Sequence, residues 1–141
     1  MSNIVQAVCN TFKQQLLEGI HDLENGGDVF KLALYTSAAN LSAATTSYFA
    51  TSEVVSAGYT AGGKVLAGQN VSLDTATGIV TFSDLSFTGV TLTARGALIY
   101  NSTESKAVCV LDFGADKTAT SGTFTILFPA FTAAAAILRI A

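Results

Sequence analysis

From residue 28 onward the chain repeats short apolar runs separated by turn-forming residues, and this pattern limits the possible folds more than any other feature. In residues 30–35 apolar side chains alternate with other residues, which is the period-two signature of a strand with one buried face. Residues 71–73 and 79–82 flank a turn that contains Gly78, as in a β-hairpin. Further strands are predicted at 90–100, 107–113, 123–128 and 137–140. Six to eight strands at regular spacing predict a mostly β fold, an antiparallel sandwich or barrel.

The N-terminal residues follow a different period. Residues 3–24 predict one amphipathic α-helix, because apolar side chains recur at steps of three and four. These side chains are Val5, Val8, Phe12, Leu16, Ile20 and Leu23. The residues Asn25, Gly26 and Gly27 form a strong stop signal. We therefore predict a single domain over 1–141, with an N-terminal helix in 1–27 and a β unit in 28–141.

Three segments of the β unit lack a clear strand pattern. Residues 37–68 are rich in Ala, Ser, Thr and Gly, and we expect a long loop there. A loop of this length is usually functional or bound to a partner, although a meandering surface loop is equally compatible. Residues 114–122 are expected to be a polar loop. The alanines at 133–136 would suit a helix, but we favour a final strand because no capping signal is present.

Charge is scarce in this sequence, and its scarcity restricts the possible partners. Only 12% of residues are charged and the net charge is −3, whereas soluble domains carry about 25% charged residues. Such a surface has little charge to repel a neighbouring copy, which favours a protein that lives in an assembly. Without a cluster of Lys or Arg we expect no nucleic-acid binding. The longest apolar segment, 130–141, is too short to span a bilayer, so we expect no membrane partner.

The reactive side chains do not suggest a catalytic or metal site. His21 is the only histidine and is expected to lie on the surface of the helix. Cys9 and Cys109 are expected to be buried free thiols. Arg95 is a candidate ion-pair partner for Asp112. We therefore predict no enzyme activity, no cofactor and no metal. The four tyrosines, Tyr35, Tyr48, Tyr59 and Tyr100, are scattered in sequence and expected to be buried or at an interface.

Several stretches of the β unit carry a family resemblance. They are residues 31–41, 58–63, 93–101 and 107–114, together with Tyr48, Glu53, Val54, the Phe128–Pro129 pair and the alanine-rich end. Over about residues 28–141 the chain resembles a family of virion structural proteins of tailed bacteriophages. The resemblance implies a location in the virion, where we expect the capsid surface. Residues 1–3 show no secretory signal, so we expect synthesis in the cytoplasm of a bacterial host.

Within a virion, the small size, the single domain and the surface rich in Ala, Thr and Ser favour a capsid cement or decoration protein. Such a protein binds the major capsid protein, commonly as a homotrimer, and stabilises the assembled shell by mass action. The alternatives are a tail, fibre or head-to-tail connector component and, less favoured, a host-glycan-binding surface protein. We expect the N-terminal helix and the 37–68 loop to reach neighbouring chains as arms that order on binding. The expected interface side chains are Phe12, Leu16, Tyr48, Phe49, Val54, Val55 and Tyr59.

Overall fold

The structure is a computed structural model that describes residues 3–141, and it is mostly β with one short helix near the N-terminus. In chain order the elements are β1 (Asn3–Ile4), β2 (Ala7–Val8), α1 (Asn10–Leu17), β3 (Phe30–Tyr35), β4 (Asn40–Leu41), β5 (Lys64–Val65), β6 (Asn70–Asp74), β7 (Thr77–Thr81), β8 (Leu85–Asn101), β9 (Lys106–Ile126) and β10 (Leu138–Ile140). The predicted class, a mostly β sandwich-like fold with antiparallel sheets and one N-terminal helix, is confirmed.

The largest sheet has five antiparallel strands in the order β2-β9-β8-β3-β5. Its centre is a long hairpin in which β8 pairs with β9 from Leu85 opposite Ile126 to Asn101 opposite Lys106. Four register shifts interrupt this hairpin, and bulges of this kind bend and twist a strand pair. The half of the hairpin near Asn101 lies between β2 and β3, whereas among residues 3–141 no further strand pairs with the half near Leu85.

Two smaller sheets complete the fold. The strands β10, β7 and β6 form a three-stranded antiparallel sheet, and β1 pairs with β4 in parallel. One apolar cluster runs from Ile4 to Leu138 and includes side chains from all three sheets. Phe82 follows β7 and joins this cluster by packing against Phe30 and Phe128, with ring centroids 6.0 and 5.7 Å apart.

The prediction of a helix over 3–24 is wrong, because α1 covers only Asn10–Leu17. The residues before it pair with the sheets instead, so that Ile4 is buried against β4 and Val5 is exposed. Gly19 then ends the helix with a φ of 74°. The Ile20 N–H donates to the Gln15 carbonyl and the Gly19 N–H to the Leu16 carbonyl, which is the Schellman arrangement that favours glycine. The helical spacing of the apolar residues therefore did not mark the helix ends.

The expected polar loop at 114–122 is also wrong, because these residues belong to β9. Their partners across the hairpin include Leu92 opposite Ala119 and Ala94 opposite Lys117. Between Asp112 and Lys117, β9 has three more residues than β8 has between their partners Gly96 and Ala94. The extra residues form a bulge in β9. Residues 114–118 are all exposed, so this stretch of the strand is polar because both of its faces are open to solvent.

Three predicted strand features are confirmed. The strand at 30–35 is β3, the hairpin around Gly78 is β6 and β7, and the final strand is β10. The β3 strand differs from the expectation in one respect, because both of its faces are covered. Tyr35 alternates with Leu34 and so lies on the face that the one-sided pattern leaves uncovered, yet it packs against Phe49 with ring centroids 5.2 Å apart. The segment after β3 therefore folds back onto the sheet.

Candidate functional site

The segment after β3 returns to the sheet through backbone hydrogen bonds. Thr36 N–H donates to the Ser52 carbonyl at 3.0 Å, and Val54 N–H donates to the Leu34 carbonyl at 2.9 Å. Between these two bonds Glu53 pairs with Tyr35 as an isolated antiparallel bridge. The expectation of an arm that orders only on binding is therefore wrong for this part of the 37–68 loop. The pairing fixes Glu53 with its side chain inside the protein, where it is 5% exposed.

The Glu53 carboxylate accepts hydrogen bonds from three donors. Tyr48 Oη donates to Oε1 at 2.5 Å, while Tyr59 Oη and the Gly62 N–H reach Oε2 at 2.6 and 2.8 Å. A buried carboxylate is costly unless it is hydrogen-bonded or paired with a cation. Within residues 3–141 the one ion pair is Arg95–Asp112. Hydroxyl and amide donors therefore satisfy Glu53 in place of a cation.

The remaining tyrosines extend this network. Tyr35 Oη donates to the Phe49 carbonyl and Tyr100 Oη to the Gly62 carbonyl, each at 2.6 Å. The rings of Tyr48 and Tyr100 stack with centroids 5.0 Å apart. We call this group, namely Glu53, Gly62 and the four tyrosines Tyr35, Tyr48, Tyr59 and Tyr100, the Glu53 cluster. It connects the loop to β3 and β8 through bonds that are at least partly buried.

Burial sets the protonation of the tyrosines in the Glu53 cluster. It raises the pKa of all four hydroxyls, and the negative charge of Glu53 raises the pKa further. The hydroxyls therefore remain protonated around neutral pH and continue to act as donors. Tyr59 also accepts the Leu34 N–H at 2.9 Å, so its hydroxyl uses both its donor and its acceptor capacity. Both carboxylate oxygens of Glu53 therefore accept hydrogen bonds from the protein itself. The arrangement holds the loop in place.

The predicted interface residues divide into three groups in the structure. Phe12, Val54 and Tyr59 are buried in the core, Leu16, Tyr48 and Phe49 are partly buried, and Val55 is 95% exposed. The buried side chains stabilise the loop and the helix within the chain. Val55 directly follows two buried residues, so its position on the surface is fixed by the Glu53 cluster.

A second polar network surrounds His21. The expectation of a surface histidine on a helix is wrong, because His21 lies beyond α1 and is buried. Nε2 lies 2.9 Å from Gln15 Oε1, and Nδ1 lies 3.1 Å from Asn101 Nδ2. An amide oxygen at one nitrogen and an amide donor at the other fit the neutral tautomer with its proton on Nε2. Burial lowers the pKa of His21, Asp28 opposes this effect and Lys106 adds to it.

The remaining candidate groups were predicted as single residues or pairs. Arg95 Nε lies 3.2 Å from Asp112 Oδ1, which confirms the predicted ion pair. The Gly114 N–H donates to the same oxygen and, together with Arg95, lowers the pKa of Asp112. Cys9 and Cys109 are both buried and free, and burial raises the pKa of Cys9 to about 11. Both thiols are therefore protonated at neutral pH.

The described residues contain neither a cluster of metal ligands nor a helix that could cross a membrane. In the range 3–141 no three His, Cys, Asp or Glu side chains lie close enough together to hold a metal ion. No helix in the same range is long and apolar enough to cross a membrane.

Sequence reasoning missed the Glu53 cluster, because four tyrosines from 35 to 100 gave no common spacing. One signal was available. Glu53 is the only acidic residue between Asp28 and Asp74, and it precedes the apolar pair Val54 and Val55. An isolated charge beside apolar residues is a candidate for burial with hydrogen-bond partners.

In comparisons with known proteins, no family model, no curated protein and no solved structure matches the chain. Membership of a phage virion family therefore stays a prediction from the sequence stretches named above.

Proposed function

We propose that the protein is a structural subunit of a tailed-phage virion, and that it acts as a decoration protein on the assembled capsid. The observation that carries the proposal is Val55, an apolar side chain that is 95% exposed on a loop fixed by the buried Glu53 cluster. A contact held in place before binding loses little conformational entropy when a partner covers it. The resemblance of residues 28–141 to virion proteins supplies the kind of partner, the major capsid protein.

The outer face of the β8–β9 hairpin supports the same proposal. Exposed hydroxyls from the two strands pair across it, with Thr93 Oγ1 2.9 Å from Thr118 Oγ1 and Ser86 Oγ 3.1 Å from Thr125 Oγ1. These hydroxyl side chains are small and uncharged, and the guanidinium of the nearby Arg95 is paired with Asp112. Small uncharged side chains of this type do not repel other subunits, as a protein packed on a shell requires.

Binding only to the assembled shell would stabilise that shell by mass action. The amount of stabilisation depends on the affinity of each copy and on the number of copies bound. The Glu53 cluster contributes by keeping the contact loop in one conformation, so that each copy meets the shell with the same surface.

The test uses purified particles that contain the protein, with the Val55→Asp variant and a matched control. Thr60→Asp adds the same charge to an exposed position of the same loop. We expect Val55→Asp to reduce the bound copies per shell at least tenfold and Thr60→Asp to leave them unchanged. Equal binding by both variants would contradict the role of Val55.

The alternative location is the tail or the head-to-tail connector, and copy number separates it from the capsid. Shell symmetry gives hundreds of decoration sites, whereas rings contain roughly a dozen subunits or fewer. Quantitative mass spectrometry against the major shell protein would measure the ratio. A dozen copies or fewer would place the protein in the tail. Retention on a column of host polysaccharide would instead favour the glycan-binding alternative.

A further inference from the structure

Residues 18–28 connect α1 to β3, and we call this segment the strap. Its backbone hydrogen bonds are to α1 or within the strap itself, as from the Asp28 N–H to the Asp22 carbonyl. In the described part of the chain, no backbone hydrogen bond joins the strap to a sheet. His21 and Leu23 of the strap are nevertheless buried. Side chains therefore hold the strap against the rest of the fold.

Two side chains outside the strap and α1 form hydrogen bonds with it. Gln69, which precedes β6, donates from Nε2 to the Glu24 and Asp28 carbonyls at 2.6 and 3.2 Å. Asn101, the last residue of β8, donates from Nδ2 to Asp28 Oδ2 at 2.8 Å, and the same nitrogen lies 3.1 Å from His21 Nδ1. Asn101 is fully buried. It therefore attaches the strap to the largest sheet from inside the protein.

The amide of Asn101 is held in one orientation by its other partners. Its Oδ1 accepts the Glu104 N–H at 3.0 Å, while its Nδ2 donates to the Asp28 carboxylate. A flipped amide would lose the first bond and place its oxygen against the carboxylate. The amide nitrogen must therefore face His21, and Nδ1 of His21 accepts a hydrogen bond there only while it carries no proton.

A proton on Nδ1 would make this contact repulsive. The His21 ring and the Asn101 amide would then present N–H groups to each other across 3.1 Å, with no acceptor between them. The second ring nitrogen gives no relief, because Gln15 Oε1 can accept the Nε2 proton in both protonation states. Since Asp28 and Glu104 fix the Asn101 amide, the His21 ring is the part that would move.

The surroundings of His21 also oppose its charged form. α1 and β3 contact the ring through Phe12 and Phe30, at centroid distances of 4.7 and 6.4 Å. Burial has the largest effect and lowers the pKa of His21, while Asp28 favours the proton and Lys106, at the start of β9, disfavours it. Release of the strap would return the ring to water, where its ordinary pKa is 6.5. Acid therefore favours the released form.

We propose that the strap is an acid-sensitive switch, in which protonation of His21 breaks its contact with Asn101 and releases residues 18–28 while the sheets stay folded. Release would uncover the faces of Phe12 and Phe30 that contact the His21 ring. The protein would thus expose additional apolar surface below about pH 6.5. This switch does not depend on the proposed place in a virion, and it does not involve Val55.

Hydrogen–deuterium exchange of the full chain at pH 7.5, 6.5 and 5.5 tests the proposal, with each rate divided by the intrinsic exchange rate at that pH. Protection of the strap amides should fall about three- to tenfold from pH 7.5 to 5.5, because a histidine of ordinary pKa stabilises the released form by up to about tenfold over this range. Protection of the paired amides in β8 and β9 should not change. Unchanged protection of the strap, or an equal loss in the strap and the hairpin, would overturn the proposal.

Three variants test whether His21 is the group that responds. Asp28→Asn removes the charge that favours the proton and Lys106→Gln removes the charge that opposes it. The midpoint of release should therefore move to lower pH in the first and to higher pH in the second, by at least about 0.3 pH unit each. His21→Gln should make strap protection independent of pH, whatever its level. If His21→Gln does not fold, the two midpoints decide. Midpoints that do not separate, or a pH dependence that persists in His21→Gln, would overturn the proposal.

Discussion

The loop that carries the Glu53 cluster and the end of the β6–β7 hairpin show opposite relations between composition and burial. The loop is rich in Ala, Ser and Thr, yet it contains a buried carboxylate with three hydrogen-bond donors. The hairpin has a clear strand pattern, yet Leu73 at its end is exposed. A polar composition therefore did not mean a mobile loop, and an apolar strand position did not mean a buried one. Tertiary partners made the difference in both regions.

The largest effect within this comparison is expected from Glu53→Ala. Removing the carboxylate leaves the hydroxyls of Tyr48 and Tyr59 and the Gly62 N–H without their acceptor. Unsatisfied buried groups cost about 1–3 kcal/mol each, and partial rescue by water leaves a loss of about 3 kcal/mol in the free energy of unfolding. Urea denaturation would measure this loss. Glu53→Gln keeps one acceptor oxygen, so we expect a loss of about 1 kcal/mol. If both variants were as stable as the wild type, the hydrogen bonds of Glu53 would not stabilise the loop, and the loop would no longer differ from the hairpin end in this respect.

A smaller loss is expected from Tyr59→Phe. The change removes the donor to Glu53 and leaves the buried Leu34 N–H without an acceptor. We expect about 1–2 kcal/mol by urea denaturation. Tyr48→Phe is the control, because Tyr48 is only partly buried and water can replace its hydroxyl. A larger loss for Tyr48→Phe would show that the hydrogen bond from the more exposed Tyr48 stabilises the Glu53 cluster more than the bonds of the buried Tyr59 do.

A pH-dependent effect is expected from His21, which lies outside both regions. Burial lowers its pKa in the folded state, so the unfolded chain binds the proton more readily. Stability is therefore complete above the ordinary value of 6.5 and falls as the pH drops below it. Urea denaturation at pH 7.5 and 5.5 would measure this fall. His21 is the only histidine, so its NMR signal also reports the folded-state pKa directly. The His21→Gln variant should show a smaller fall over this range.

The smallest effect is expected from the exposed apolar residues. Leu73→Ser and Val55→Ser remove side chains that contact little within the chain. We expect the unfolding free energy of dilute monomer to change by less than about 0.5 kcal/mol. Differential scanning calorimetry at low concentration would check this. A loss above about 2 kcal/mol for Leu73→Ser would show that Leu73 packs within its own chain and is not on a free surface.

The sequence by itself determined the strand-rich class, the hairpin around Gly78 and the pairing of Arg95 with Asp112. These features depend on local periodicity, on turn-forming residues or on two charges in adjoining strands. The sequence did not determine where the helix starts, because residues 3–8 show an apolar spacing that fits a helix but form strands that pair with the sheets.

Only the tertiary structure decided what surrounds Glu53 and His21. The donors to Glu53 are separated by up to 14 residues along the loop, and Tyr100 joins them from β8. His21 meets Asn101, which is 80 residues away in sequence. No local period links such positions, because they become neighbours only when the sheets fold the chain back on itself. Burial of a polar side chain depends on these distant partners, which is why composition alone predicted a free loop and a surface histidine.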